Sequence, residues 1–131
     1  MSVQAVAKNV KMSPRKVSIV ANLVRGRSVA DAYVILENTP RRSADAVNRV
    51  IKSASANAEH NHKLKPDTLA ITEITVTPGF RMKRYKPAAR GRALPFQKKT
   101  SIIKVTVDGE KRVAKKTVAA AQEKKTSEGA K

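Results

Sequence analysis

The chain has no cysteine and no tryptophan, and only four other aromatic residues: Tyr33, Phe80, Tyr85 and Phe96. Without cysteine, disulfides and thiolate metal sites are excluded, and a reducing compartment is permitted. With so few rings, any core must be filled by Ala, Val, Ile and Leu. A chain of 131 residues is long enough to bury one such core, in one domain with a tail. No apolar run is long enough to cross a bilayer, and the first residues lack the continuous apolar stretch of a secretory signal.

Acidic residues are also scarce, ten against twenty-eight Lys and Arg, which leaves a formal charge of +18. Self-repulsion of this size brings a free protein no stability. A polyanion offsets it and releases counterions in doing so. Nucleic acid is the leading partner class, with an anionic membrane surface second. A membrane mode needs an apolar face, and the basic C-terminal stretch supplies little beyond Val113, Val118 and Ala119.

The charge is concentrated. Residues 81–99 read RMKRYKPAARGRALPFQKK, with eight cations and no acid. They lie between two segments that read as strands, TLAITEITVT (68–77) and TSIIKVTV (100–107). The second carries Ile103, Val105 and Val107 on one side. In the first, Leu69 and Ile71 share one parity and Ile74 and Val76 the other, so the slip at Thr72-Glu73 implies either a β-bulge or a strand buried on both faces. An antiparallel pair of these strands needs only a short turn, yet 78–99 spans 22 residues. Continued as a two-stranded ribbon, it would project roughly 35 Å. It lacks Val and Ile, and like charges are expected to face each other across the ladder at a cost. Such an arm is expected to be mobile when free, or ordered by an anionic surrounding. Pro87 and Pro95 stiffen it, and Gly91 permits a turn between Arg90 and Arg92. Ala88, Ala89 and Ala93 keep its end narrow. Arg81, Lys83, Arg84, Lys86, Arg90, Arg92, Lys98 and Lys99 are the phosphate-contacting candidates, with Tyr85 and Phe96 as possible base-stacking rings.

The remainder reads as a small helical body. Residues 3–11 form a weak strand. Ser13-Pro14 opens a helix with an N-cap oxygen and a proline at its first position, and Val17, Val20, Ala21 and Val24 give its stripe. Gly26 ends it. Arg15 and Lys16 sit on its first turn, where the helix dipole disfavours cations unless phosphate is close. Ser28 caps a second helix, with Asp31 in the capping-box position and Val29, Ala32, Tyr33 and Leu36 on one face. Thr39-Pro40 repeats the capping chemistry ahead of a third helix, from about Arg41 to about His60. Val47, Val50, Ile51, Ala54 and Ala58 form its stripe, and its small residues allow close packing. Residues 109–131 form a basic, low-complexity tail.

Catalytic chemistry finds little support. Glu59-His60-Asn61-His62 places two histidines at i, i+2, which do not share a helix face. There is no P-loop, nucleophile elbow or clustered carboxylate pair. The expectation is a non-enzyme without metal or cofactor.

Several separated motifs, in one order, resemble a known family. Met82-Lys83-Arg84, Pro87, Ala89-Arg90-Gly91-Arg92-Ala93 and Lys98-Lys99-Thr100-Ser101 are similar to the arm signature of the universal large-subunit ribosomal protein twenty-two family. Ser13-Pro14-Arg15-Lys16-Val17, Leu23-Val24-Arg25-Gly26 and Ser55-Ala56-Asn57-Ala58-Glu59-His60-Asn61 resemble its bacterial form. The resemblance covers residues 3 to 108. It implies an α+β fold: three helices packed on a small three-stranded antiparallel sheet, with a long protruding β-hairpin. It implies a domain of residues 1–108, including the arm 78–99, followed by the tail 109–131.

Functionally, the resemblance implies a structural constituent of the large ribosomal subunit in the cytoplasm. Its expected partners are large-subunit ribosomal RNA, neighbouring subunit proteins and the nascent peptide. Arg15, Lys16 and the eight arm cations would bind RNA. Met82, Lys83, Arg84, Pro87, Ala89, Arg90, Gly91, Arg92 and Ala93 would form a tip lining the peptide exit tunnel. The chain departs from the pattern at Ile102, where the family often has His, and in the weakly charged limb Leu94-Pro95-Phe96-Gln97. A free-standing nucleic-acid-binding regulator is the alternative that the basic arm alone allows.

Overall fold

Residues 2–111 are described by a computed structural model of the chain. Six principal elements follow one another: β1 (Val3–Val10), α1 (Pro14–Val24), α2 (Val29–Glu37), α3 (Arg42–His60), β2 (Ala70–Pro87) and β3 (Ala93–Asp108). The sheet is antiparallel in the order β1-β3-β2, and the three helices pack on one of its faces. This is the expected α+β architecture.

Helices α1 and α3 bury the stripes their periodicity announced, whereas on α2 Val29, Ala32 and Leu36 are buried and Tyr33 is half-buried. Val17, Val20, Ala21 and Val24 of α1 are all fully buried. So are Val47, Ile51, Ala54 and Ala58 of α3, and the sheet supplies Ile71, Ile74, Ile103, Val105 and Val107. Every buried apolar residue in the described part is Ala, Val, Ile or Leu, as the shortage of rings requires. Each large member contributes about 1.5–3 kcal/mol through area removed from water. The slip near Thr72 is a bulge. Ile71 faces Val107 while Glu73 faces Thr106, so Thr72 is the extra residue and both Ile71 and Ile74 turn inward.

The helix ends differ from expectation in two places. Ser13 makes no side-chain cap; its carbonyl instead accepts from the N–H groups of Lys16 and Val17 at 3.0 and 3.3 Å. The Thr39 hydroxyl does not open α3 either. It donates backward to the Ile35 carbonyl at 2.6 Å, closing the end of α2, and α3 begins only at Arg42 with no side-chain cap. Ser28 behaves as predicted, accepting from the Asp31 N–H at 3.1 Å.

After α1, Gly26 adopts a left-handed φ of 73°. Its N–H then donates to the Ile71 carbonyl and Arg27 accepts from the Ile71 N–H, so residues 26–29 cover the outer edge of β2 at its base. At the other end of the body, Lys63 is left-handed (φ 54°) and drops Leu64 into the core. The chain stays attached past Asp108: the Lys65 N–H donates to the Glu110 carbonyl at 2.9 Å and Leu64 pairs with Lys111. The expected tail beyond that point lies outside the described residues.

Candidate nucleic-acid interface

β1 stops at Val10, opposite Ser101. Beyond that level only β2 and β3 continue, and they leave the body as a ribbon. Its root is a second bulge. Pro78 faces Ser101 and Arg81 faces Lys99, so Gly79 and Phe80 together oppose Thr100. The Thr100 hydroxyl donates to the Phe80 carbonyl at 2.6 Å. A Cβ on Gly79 would come within 2.7 Å of that same hydroxyl oxygen, so this position requires glycine. The bulge turns Phe80 outward, where 70% of it is exposed.

Seven ladder pairs follow, from Arg81↔Lys99 to Pro87↔Ala93. No residue from 78 to 99 is buried, so backbone hydrogen bonds rather than a core hold the ribbon. The register relieves most of the repulsion the composition suggested. Arg81↔Lys99 is the one directly opposed cation pair, whereas Lys83 faces Gln97, Arg84 faces Phe96 and Lys86 faces Leu94. The weakly charged limb 94–97 therefore serves as a spacer between cations. Lys86 also places its ammonium 5.2 Å from the centre of the Phe96 ring. Phe96 thus packs within the arm, while Phe80 and Tyr85 are the two rings left open for stacking. Among the described residues, no carboxylate pairs with an arm cation.

The tip is a five-residue turn, closed where the Ala88 N–H donates to the Arg92 carbonyl at 2.7 Å. Arg90 (φ 59°) and Gly91 (φ 69°) are both left-handed. The glycine was expected there; the strained arginine beside it was not. Pro87, Ala89, Arg90, Gly91, Arg92 and Ala93 gather at this end. Met82, Lys83 and Arg84, expected at the tip, lie well below it, because the ladder runs on through Lys86 and leaves only 88–92 for the turn.

The two faces of the ribbon's root look onto different parts of the body. On one side Arg81 and Lys99 share a narrow cleft with Arg15 at the start of α1. On the other, Met82, Arg84 and Lys98 form the wall of an open basin of about 880 Å³, and Lys99 borders both hollows. The opposite wall carries Lys11, Lys16, Arg41 and Arg42. Arg15 and Lys16 thus diverge to opposite sides of the arm. Lys11, Arg41 and Arg42 were missed as site residues. In the sequence they are scattered charges, and only the fold brings the approach to α1 and the start of α3 beside the arm.

Other candidate sites are sparse. Among the described residues, no group of three or more His, Asp or Glu could hold a metal ion, and no helix is long and apolar enough to cross a membrane. Ile102 is half-buried opposite Thr77 in the ladder.

Comparison with known proteins agrees with this geometry. Residues 5–108 match the family model described as Ribosomal protein L22p/L17e. The chain is 46% identical over 111 residues to Large ribosomal subunit protein uL22 of Oceanobacillus iheyensis, covering 85% of this chain and 98% of the relative. The proteins of the same name from Clostridium beijerinckii and Clostridium tetani are 47% and 48% identical, each over 82% of this chain and 96% of their own length. A family match from Ala5 to Asp108 spans β1 through the end of β3, arm included, and the chain belongs to the ribosomal protein L22p/L17e family.

Proposed function

We propose that the chain is a structural constituent of the large ribosomal subunit in the cytoplasm, not an enzyme, and that its arm is threaded into large-subunit ribosomal RNA. The observation that carries this reading is a ribbon with cations on both faces, no buried residue and, among the described residues, no carboxylate partner. Such a ribbon gains little from its own contacts and much from phosphate on either side. Arg15, Lys16, Arg81, Lys83, Arg84, Lys86, Arg90, Arg92, Lys98 and Lys99 bind the backbone, and Phe80 and Tyr85 offer faces to unstacked bases. The narrow end, Pro87 with Ala89 to Ala93, lines the path of the nascent peptide. The helical body faces neighbouring subunit proteins and supports assembly.

A density map of large subunits purified from cells carrying a tagged copy tests the reading. The chain is expected in the map with 78–99 surrounded by RNA. A photo-crosslinker at Ala89 is expected to capture a radiolabelled nascent chain in stalled ribosomes. A tagged chain that sediments free of subunits would reject the assignment.

A further inference from the structure

The two outer edges of the sheet are treated differently. At the base of β2, residues 26–29 lie alongside: the Gly26 N–H donates to the Ile71 carbonyl at 3.0 Å and the Val29 N–H to the Leu69 carbonyl at 2.9 Å. Further along, the Arg25 guanidinium donates to the Ile74 carbonyl at 2.9 Å. On the opposite side, β1 pairs with β3 alone, and among the described residues no other segment bonds to its backbone from Val3 to Asn9. An open strand edge is a template for another extended segment. Beside it lies a hollow of about 340 Å³ between β1 and α3. Ala5, Val6 and Ala7 line it from the strand, and Ala46, Arg49 and Ser53 from the helix. Ala5 is buried whereas Val6 is 50% exposed on the other face, so the hollow wraps the edge itself. Its walls are mostly small and apolar, and Arg49 is their single charged side chain; the basin at the arm's root carries seven cations.

The chain itself supplies a candidate occupant. Lys111 pairs with Leu64, and the Leu64 N–H donates to the Ala58 carbonyl at 3.1 Å, so the described residues stop beside the C-terminal end of α3. From Ala58 back to Ser53 is about 8 Å along that helix, and to Ala46 about 18 Å. Residues 112–131 reach past both even at about 1.5 Å each. Within them Val118-Ala119-Ala120-Ala121 is the longest apolar run, with side chains as small as the walls of the hollow. Glu123 follows, and among the described residues no carboxylate pairs with Arg49. The segment carries six cations and two acids, so the basin and the cleft at the arm's root repel it, whereas this hollow does not.

We infer that residues 118–123 dock in the groove between β1 and α3, along the open edge of β1, with Glu123 toward Arg49. This goes beyond the RNA-binding reading, which makes no use of these residues; the family match ends before them, at Asp108. The contact caps, in the free chain, an edge that would otherwise be offered to other chains.

The test uses the full chain without RNA, so its outcome is independent of the RNA-binding reading. Because the chain has no cysteine, Ser53→Cys with Ala120→Cys introduces a single thiol pair. Under mild oxidation this pair is expected to close an intrachain disulfide roughly tenfold faster than Val34→Cys with Ala120→Cys, whose first thiol lies on α2 outside the groove. Adding Val118→Lys to the first pair is expected to bring its rate down to that of the second. Equal rates in the two pairs, or no fall with Val118→Lys, would overturn the inference. Disulfides that form only between chains would overturn it in favour of a second copy in the groove.

Hydrogen exchange reads the edge without engineered thiols. The outward amides of β1 are expected to exchange roughly tenfold faster in the Val118→Lys chain than in wild type, while those around Ile103 on the central strand stay unchanged. Equal acceleration on both strands would trace the effect to folding, and no acceleration would leave the edge uncapped by this segment; each overturns the docking. Protection of β1 that appears only in assembled subunits would overturn it too, and would assign the groove to a neighbouring subunit protein.

Discussion

Near the body, β2 and β3 carry Ile71, Ile74, Ile103, Val105 and Val107, all buried; between residues 78 and 99 the same two strands carry no buried residue at all. The ladder is continuous apart from its bulges, so backbone pairing does not distinguish the regions. What changes is the third layer. Below Ser101 the sheet has β1 alongside and helices on one face, and apolar area leaves water. Above it there is only a ribbon, and a lone two-stranded ribbon is marginally stable in water. The acids are divided in the same way. Asp31, Glu37, Asp45, Glu59, Asp67 and Glu73 all lie on the body or the base of its sheet, and the arm has none. The body supplies its own reason to fold, whereas the arm is shaped for a surface it does not contain.

The strongest challenge to this division is to remove the arm. Replacing residues 82–98 by Asn-Gly leaves Arg81 opposite Lys99 across a two-residue hairpin turn. Six cations go with it, so the salt slope of RNA binding should flatten by about 4 to 5, a difference worth several hundredfold over a fourfold change in salt. Thermal unfolding should remain cooperative with little change in midpoint. Loss of a cooperative transition would mean that the arm belongs to the body's folding unit, and the comparison would break.

A smaller and complementary test compares apolar truncations. Ile103 is fully buried on the central strand, and Ile103→Ala should cost about 2–5 kcal/mol in chemical denaturation. Leu94→Ala, on the same strand but 58% exposed on the arm, should stay within about 0.5 kcal/mol. Comparable losses would show that Leu94 helps hold a core the geometry does not reveal.

Most of the body could be read from the sequence because apolar periodicity and burial report the same physics. The stripes of α1 and α3 and the parity slip at Thr72 translated directly into buried side chains. The helix starts were less legible. Thr39 and Ser13 have capping chemistry, but a hydroxyl can serve either neighbouring turn, and Thr39 closed the helix before it. Leu64 was hidden because a lysine, Lys63, takes the left-handed turn that usually advertises itself with glycine. For the interface, the arm was visible as a charge run between strands, but its register was not. Register decided that cations alternate with Gln97, Phe96 and Leu94, and that Phe96 is engaged while Phe80 is open. Arg41 and Arg42 join the interface only through tertiary placement, which no local pattern encodes.

The smallest expected effect sharpens the claim that backbone, not side chains, shapes the arm. Arg90 holds a left-handed conformation at φ 59° and ψ 38°, which costs an L-residue roughly 1 kcal/mol or more. Glycine removes that cost but loses about 0.5–1 kcal/mol of extra chain entropy on ordering, so Arg90→Gly should be nearly neutral for the turn. Arg90→Ala keeps the strain and should likewise leave the turn as it is. Exchange protection of the Ala88 N–H, bonded to Arg92 at 2.7 Å, reads this directly and should match wild type in both variants. Both variants lose one cation, so each should flatten the RNA salt slope by about 0.7 to 0.9 while the turn persists. If protection of Ala88 collapses in both, the Arg90 side chain is building the tip rather than being presented by it, and the arm would have more internal structure than its lack of buried residues implies.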